Sequence, residues 1–198
     1  MSTIKTLSVT ECHTLLTYFL SKMEKPCGFH KNLRNYSMCL LMLEAGLRVG
    51  EVVRLRVNDL CYGLKPVEFI SVDKSIAEKA CERRVPVSSK LREAIEALRD
   101  RYWFLTERPV THFAFYVSDV EKGITTRQVE RIIQRAGLKA LGRAIHPHML
   151  RHTFATRLMR KVDIRTVQTL LGHKTITSTQ VYTHPDSDDL VDAISTFD

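Results

Sequence analysis

The chain has 198 residues, 44% of them hydrophobic and 26% charged, with 30 Lys and Arg against 22 Asp and Glu. That is enough apolar material for one ordinary core and excludes a disordered tail. The formal net charge of +8 and the isoelectric point near 9.4 favour a polyanionic partner, either nucleic acid or an anionic membrane surface. No apolar run approaches the roughly 20 residues that span a bilayer, and the first residues, MSTIKTLSVTE, lack a signal-peptide core. A soluble, cytoplasmic protein is expected. Five cysteines (Cys12, Cys27, Cys39, Cys61, Cys81) are odd in number and form no C-x-x-C pair. They signal neither a disulfide framework nor a zinc ribbon. Cys39, inside the apolar run YSMCLLMLEAG, reads as a core residue.

Ser8 and Glu11 make an S-x-x-E capping box ahead of Leu15, Leu16 and Leu20, which starts a first helix. The segment Lys25-Pro26-Cys27-Gly28 breaks it. A second helix is expected from about Asn32 to Ala45, stopped by Gly46, and a short third one near Val49 to Leu55. Pro66 to Val72 and Arg83 to Val87 alternate partially and carry β-branched residues. They predict a hairpin with a long polar loop, Asp73 to Glu82. Leu91, Ile95, Leu98 and Tyr102 restore helical spacing, and Phe113 to Val117 reads as a third strand. Val129, Ile132, Ile133 and Ala136 stripe another helix, with Gly137 after them. A helix starting near His148 carries Leu150, Phe154 and Leu158. The next is capped by Asp163 and stopped by Gly172. Short helices are expected around Tyr182 and over Leu190 to Ile194. The fold class is mainly α with a small antiparallel β-sheet (α+β). From Asp186 onward there are five aspartates and no Lys or Arg, so the tail is acidic and the body correspondingly more basic.

Phosphate-loop, dinucleotide-binding, H-E-x-x-H and G-x-S-x-G motifs are all missing from the sequence. Closely spaced carboxylates suited to two metals are missing as well. An enzyme built from this chain is expected to use no cofactor and no metal. In His146-Pro-His148-Met-Leu-Arg151-His152, His148 and Arg151 are three apart and share a helix face. An Arg fork suits phosphate oxygens, and His exchanges protons near neutrality. Solvated basic residues at a helix start are the plainer reading, and a zinc site through His148 and His152 lacks a third ligand. Leu170-Leu171-Gly172-His173 and Gln180-Val181-Tyr182-Thr183-His184 are each, taken alone, a helix cap and a core-edge aromatic. In Ala45-Gly46-Leu47-Arg48-Val49-Gly50-Glu51, Glu51 lies one turn beyond Arg48 and could orient its guanidinium. A surface pair of little energetic worth is the alternative.

In this order, A-G-L-R-x-x-E, H-x-L-R-H-T-F-A-T, L-L-G-H and Q-V-Y-T-H resemble the tyrosine recombinase (phage-integrase) family, over Ala45 to His184. The resemblance implies helices around a small antiparallel sheet, and catalytic roles for Arg48, His148, Arg151, His173 and the nucleophile Tyr182. It also implies a hairpin lysine. The family's G-K-G-x-K-x-R stretch is replaced here by Lys74-Ser-Ile-Ala-Glu-Lys79-Ala-Cys-Glu-Arg83-Arg84. Lys79, on the longer reach of the loop, is preferred to Lys74. Gly50 stands where the family often has Ser. The implied activity is site-specific DNA recombination of the integrase or invertase type, through a 3′-phosphotyrosyl intermediate without metal or ATP. A non-enzymatic DNA-binding regulator and a type IB topoisomerase are the alternatives. The implied partners are double-stranded DNA, further copies of the chain in a tetramer on DNA, and an accessory DNA-bending protein; no membrane is expected. Residues 1–185 are expected to form the catalytic domain, with no separate N-terminal DNA-clamping domain. The tail 186–198 would pack on a neighbouring protomer or fold back in cis.

Overall fold

The structure, a computed structural model, describes residues 5–23, 28–77, 81–103 and 111–172. Eight helices and two small antiparallel hairpins follow one another there. They are α1 (Val9–Met23), α2 (Phe29–Glu44), α3 (Val49–Arg54), α4 (Val57–Leu60), β1 (Cys61–Tyr62), β2 (Lys65–Pro66), β3 (Phe69–Val72) and β4 (Arg83–Pro86). After them come α5 (Ser89–Leu98) with a π-helical turn (Arg99–Trp103), α6 (Thr126–Leu141), α7 (Pro147–Met159) and α8 (Ile164–Leu171). None of these helices is long and apolar enough to cross a membrane.

The expected caps form. The Ser8 hydroxyl accepts from the Glu11 N–H at 3.1 Å, while the Glu11 carboxylate accepts from the Ser8 N–H at 2.9 Å. Asp163 caps α8 by accepting from the N–H groups of Arg165 and Thr166. Helix α2 is the spine, buried at every position from Leu33 to Leu43. It lies between α1, α5 and α7. Cys39 is fully buried within it, and its thiol pKa is pushed up by desolvation.

The predicted hairpin exists as β3 and β4, in register Phe69↔Pro86 through Val72↔Arg83. Pro66, expected in its first strand, belongs instead to a separate two-residue hairpin, β1–β2. Part of the expected polar loop is an ordered turn. Asp73 Oδ1 accepts from the N–H and hydroxyl of Ser75, and Ile76 and Ala77 are buried.

Two expectations need correction. Phe113 to Val117 is not a strand. It makes only the isolated bridges Arg56↔Phe113 and Tyr116↔Gly123. Ala114 and Phe115 are inserted into the core, and the carbonyls of Ala114 and Tyr116 are taken by side chains. Trp103 Nε1 donates to Ala114 O at 2.9 Å, while Tyr102 Oη and Arg34 Nη1 donate to Tyr116 O. Buried backbone satisfied in this way has no need of a ladder partner. Gly137 does not end its helix, because α6 continues to Leu141 and stops at the left-handed Gly142. A Cβ on Gly137 would lie 2.4 Å from Ile145 Cγ1, so close approach of the following loop, not a turn, requires glycine there.

Gly46 combines both constraints. Its φ is +61°, and a Cβ there would stand 2.3 Å from the Phe154 ring. Gly46→Ala is expected to cost about 2–4 kcal/mol, the sum of left-handed strain and overpacking, measured by urea unfolding. A loss under about 1 kcal/mol would show that Phe154 moves aside freely.

Candidate active site

Glu51 organises the site. It lies in the first turn of α3 with only 2% of its surface exposed. Its Oε2 accepts from the Arg48 backbone N–H at 2.7 Å, and Arg48 Nη1 reaches Oε1 at 3.2 Å. The Arg48–Glu51 pair is therefore not a surface ion pair: the carboxylate is inside, and only the Arg48 side chain, 34% exposed, reaches solvent.

Two further arginines converge on that carboxylate. Arg83, the first residue of β4, grips it as a fork, Nη1 to Oε1 at 2.9 Å and Nη2 to Oε2 at 2.7 Å. Arg151, on α7, places Nη1 3.8 Å from Oε2. Arg151 also donates from Nη1 to Gly46 O at 2.5 Å and from Nη2 to Leu171 O at 2.7 Å. One buried carboxylate thus fastens three guanidinium groups, from the N-cap of α3, from β4 and from α7. Burial alone would raise the Glu51 pKa. The hydrogen bonds and charge of Arg83, with the Arg48 N–H and the charge of Arg151, outweigh it and hold the group below the usual carboxylate range. Ionised, it leaves the three arginines with a net charge of +2, and such a cluster is complemented by an anion.

Why the chain folds this way locally is plain from the caps and strand faces. Gly46 turns the chain out of α2, so that Arg48 becomes the residue before α3 and Glu51 falls at its third position. The β3–β4 pairing sends Arg83 and Val85 inward and Arg84 outward. Pro147 at the first position of α7 starts that helix where its missing N–H costs nothing. His148 then lies exposed in the first turn, and Arg151 lies inside, 4% exposed. The His152 ring centroid is 6.4 Å from that of His148. Burial, then the neighbouring His148 and Arg151, push the His152 pKa below the usual histidine value.

Of the sequence-predicted site residues, Arg48 and Arg151 are brought together through Glu51. His148 shares α7 with Arg151. Lys74 is exposed on the Asp73 turn. Lys79, His173 and Tyr182 lie outside the described residues, as do the helices expected around Tyr182 and over Leu190 to Ile194. Sequence reasoning missed Arg83 as a site residue, although a charged side chain in phase with Val85 on a strand's inner face was a usable signal.

The profile of the phage integrase family matches residues 9–188. The chain belongs to the phage integrase family. Curated relatives include the tyrosine recombinase XerC of Pediococcus pentosaceus, 34% identical over 158 residues, which are 78% of this chain and 50% of that protein. The XerC of Bacillus subtilis is 32% identical over 169 residues, 83% of this chain and 52% of that protein. This phage integrase family member thus spans about half the length of the curated relatives it matches. Among solved structures, the XerA recombinase aligns over 97% of this chain and 64% of its own, at 27% identity and TM-score 0.76. The XerH recombinase on its palindromic difH substrate aligns over 99% and 54%, at 26% identity and TM-score 0.68. The Tn1549 transposon integrase, solved with circular intermediate DNA, shares the fold at 19% identity and TM-score 0.73, over 100% of this chain and 68% of that one. The mainly helical α+β fold expected from the sequence agrees with these neighbours.

Proposed function

We propose that this chain cleaves and rejoins double-stranded DNA as a site-specific tyrosine recombinase. The observation that carries the reading is the arginine cluster: Arg48 and Arg151, the two positions matching the family's arginines, are tied to one buried carboxylate. Held in that way, they are preorganised to receive the non-bridging oxygens of a phosphodiester. Charge developing on a pentavalent phosphorane would meet donors already in place, usually the largest catalytic term.

The remaining steps follow from the chemistry of the matched residues. Tyr182 Oη attacks phosphorus in line, forming a 3′-phosphotyrosyl bond as the bond to the 5′-oxygen breaks. A phenol with a pKa of about 10 needs a base, and exposed His148, beside Arg151 in sequence space on α7, takes that proton. Lys79 gives a proton to the departing 5′-oxygen. His173 donates a hydrogen bond to the phosphate. A second 5′-hydroxyl then attacks the phosphotyrosine, expels Tyr182 and reseals the strand, so no ATP is needed. Residues 1–185 supply this chemistry. Four copies on paired DNA sites would exchange strands, with the 186–198 tail bridging neighbours and a DNA-bending protein assisting.

The test is covalent trapping. Nicked duplexes from the flanks of the encoding gene are incubated with the protein in EDTA and run on denaturing gels. A protein–DNA adduct that survives denaturation is expected. Binding of the same duplexes should fall by about 10³-fold or more between 50 and 200 mM salt if six or more phosphates are contacted. Binding without any adduct would favour the regulator reading, and sequence-independent relaxation of supercoils would favour a topoisomerase.

A further inference from the structure

We propose that Arg83 is a positioning residue that couples the end of α8 to the arginine cluster. The proposal rests on the recombinase reading for its catalytic consequence, though not for the coupling itself. The Arg83 side chain is 1% exposed, so it cannot meet DNA and must act through its neighbours. It spends two N–H groups on Glu51 and donates a third, from Nε, to Leu170 O at 2.8 Å. One planar group therefore joins α3, β4 and the last turn of α8.

That last turn needs outside anchors. The buried side chains of α8, Val167 and Leu171, belong to a small cluster with Ala155, separate from the main core. Its apolar packing is thus onto α7. Polar bonds fasten its C-terminus: Arg83 to Leu170 O, Arg151 to Leu171 O, and the Cys81 N–H to Gly172 O at 3.4 Å. Terminal helix carbonyls carry partial negative charge and accept cationic donors readily. The contact is close enough to dictate sequence. Gly172 has φ +63°, and a Cβ there would stand 3.0 Å from Arg83 Cδ and from Cys81 O.

The consequence lies in what is tied to that turn. Leu171 O is a partner of Arg151, and His173 follows Gly172 directly in the chain. If Arg83 lets go, Arg151 loses a fixed partner, and the turn that precedes the proposed phosphate-binding residue in the chain is released. A displacement of about 1 Å at a reacting centre can cost 10²-fold. Lysine at position 83 would keep a charge beside Glu51. It has no planar fork and cannot hold the carboxylate and the carbonyl together.

Two measurements on Arg83→Lys test this. In the DNA-free protein, amide exchange across α8 should quicken by about tenfold or more, a local opening, while α1 and α2 amides keep their rates. Unchanged α8 exchange would overturn the coupling, whatever the enzyme does. At saturating DNA, the single-turnover cleavage rate constant should fall by about 30- to 100-fold, with DNA affinity within about threefold. In a His173→Ala background the same substitution should cost less than about threefold, because the proposed effect of Arg83 runs through the turn that His173 follows in the chain. Fully multiplicative losses, or weaker DNA binding at an unchanged rate constant, would reduce Arg83 to a structural residue and overturn the proposal. Gly172→Ala loosens the end of α8 through its own left-handed backbone and presses on Arg83 Cδ and Nη1. If Arg83→Lys does not fold, the coupling is read in this variant from α3 amides around Glu51, which should exchange faster along with α8; unchanged α3 exchange would overturn it. A wild-type protein that forms no adduct would instead overturn the recombinase reading, and with it the catalytic half of this one.

Discussion

Tyr182→Phe is expected to abolish the covalent adduct, lowering its rate by on the order of 10⁴ or more, the scale seen when an enzyme's only nucleophile is deleted. DNA affinity should stay within about twofold, because phosphate contacts by basic residues dominate binding and the ring is retained. The size of the effect follows from the bond being made. In the proposed reaction the tyrosine oxygen is the atom that joins phosphorus, so removing it would leave Arg48, Arg151 and His148 around a phosphate that nothing attacks. Water is a poor substitute, since an in-line position fixed by the protein is worth many orders of magnitude in effective concentration. The check is a time course of adduct formation on nicked duplexes, run beside a gel-shift titration of both proteins. A phenylalanine variant that still cleaves would move the nucleophile elsewhere. A variant that binds far more weakly would mean that Tyr182 shapes the DNA interface rather than the chemistry.

How far the sequence spoke varied with the physics involved. Helix ends were legible wherever a local rule decides them. The Ser8–Glu11 box, the Asp163 cap and the left-handed Gly46 and Gly172 all read correctly from a few neighbouring letters, because caps satisfy backbone groups within one turn. Gly137 misled, since the same residue type serves tertiary closeness as well as turns, and only the Ile145 contact tells them apart. Phe113 to Val117 misled for a related reason. An apolar stretch announces burial, not a ladder, and its carbonyls found Trp103, Tyr102 and Arg34 instead of a strand. At the candidate site, motif order pointed to Arg48 and Arg151, which Glu51 brings together, and the one-turn spacing pointed from Arg48 to Glu51. What spacing cannot give is burial. Whether Glu51 sits in water or under the sheet depends on β4 closing over α3, a contact between residues 32 positions apart. Arg83 stayed hidden for the same reason, since its partners come from two elements distant in sequence, α3 and α8.

The depth of Glu51 sets the other large effect. Glu51→Ala is expected to destabilise the fold by about 3–5 kcal/mol, the usual cost of removing one partner from a buried ion pair. Arg83 would be left 1% exposed with its fork unmet, and Arg151 would lose the nearest negative charge. Urea unfolding at pH 7 measures this, and a loss under about 1 kcal/mol would return the cluster to the surface-pair class. The pH dependence has a definite sign. The folded-state pKa of Glu51 is depressed, so its contribution is fully present above its unfolded value of about 4.5. It is lost as pH falls from there through the lower folded-state value. Wild type should therefore lose stability over that acid window more steeply than Glu51→Ala, and the gap between them should narrow as pH drops. The same substitution should separate binding from catalysis. Deleting the carboxylate raises the local charge from +2 to +3, which favours a phosphate electrostatically, so at low salt affinity for DNA should not fall. The cleavage rate should fall nonetheless, because guanidinium groups that attract a phosphate without being held in place must still be organised during the reaction. A variant that binds DNA at least as well and cleaves it far more slowly would locate the work of Glu51 in arrangement. One that loses both together would show that the fold around α3 had given way.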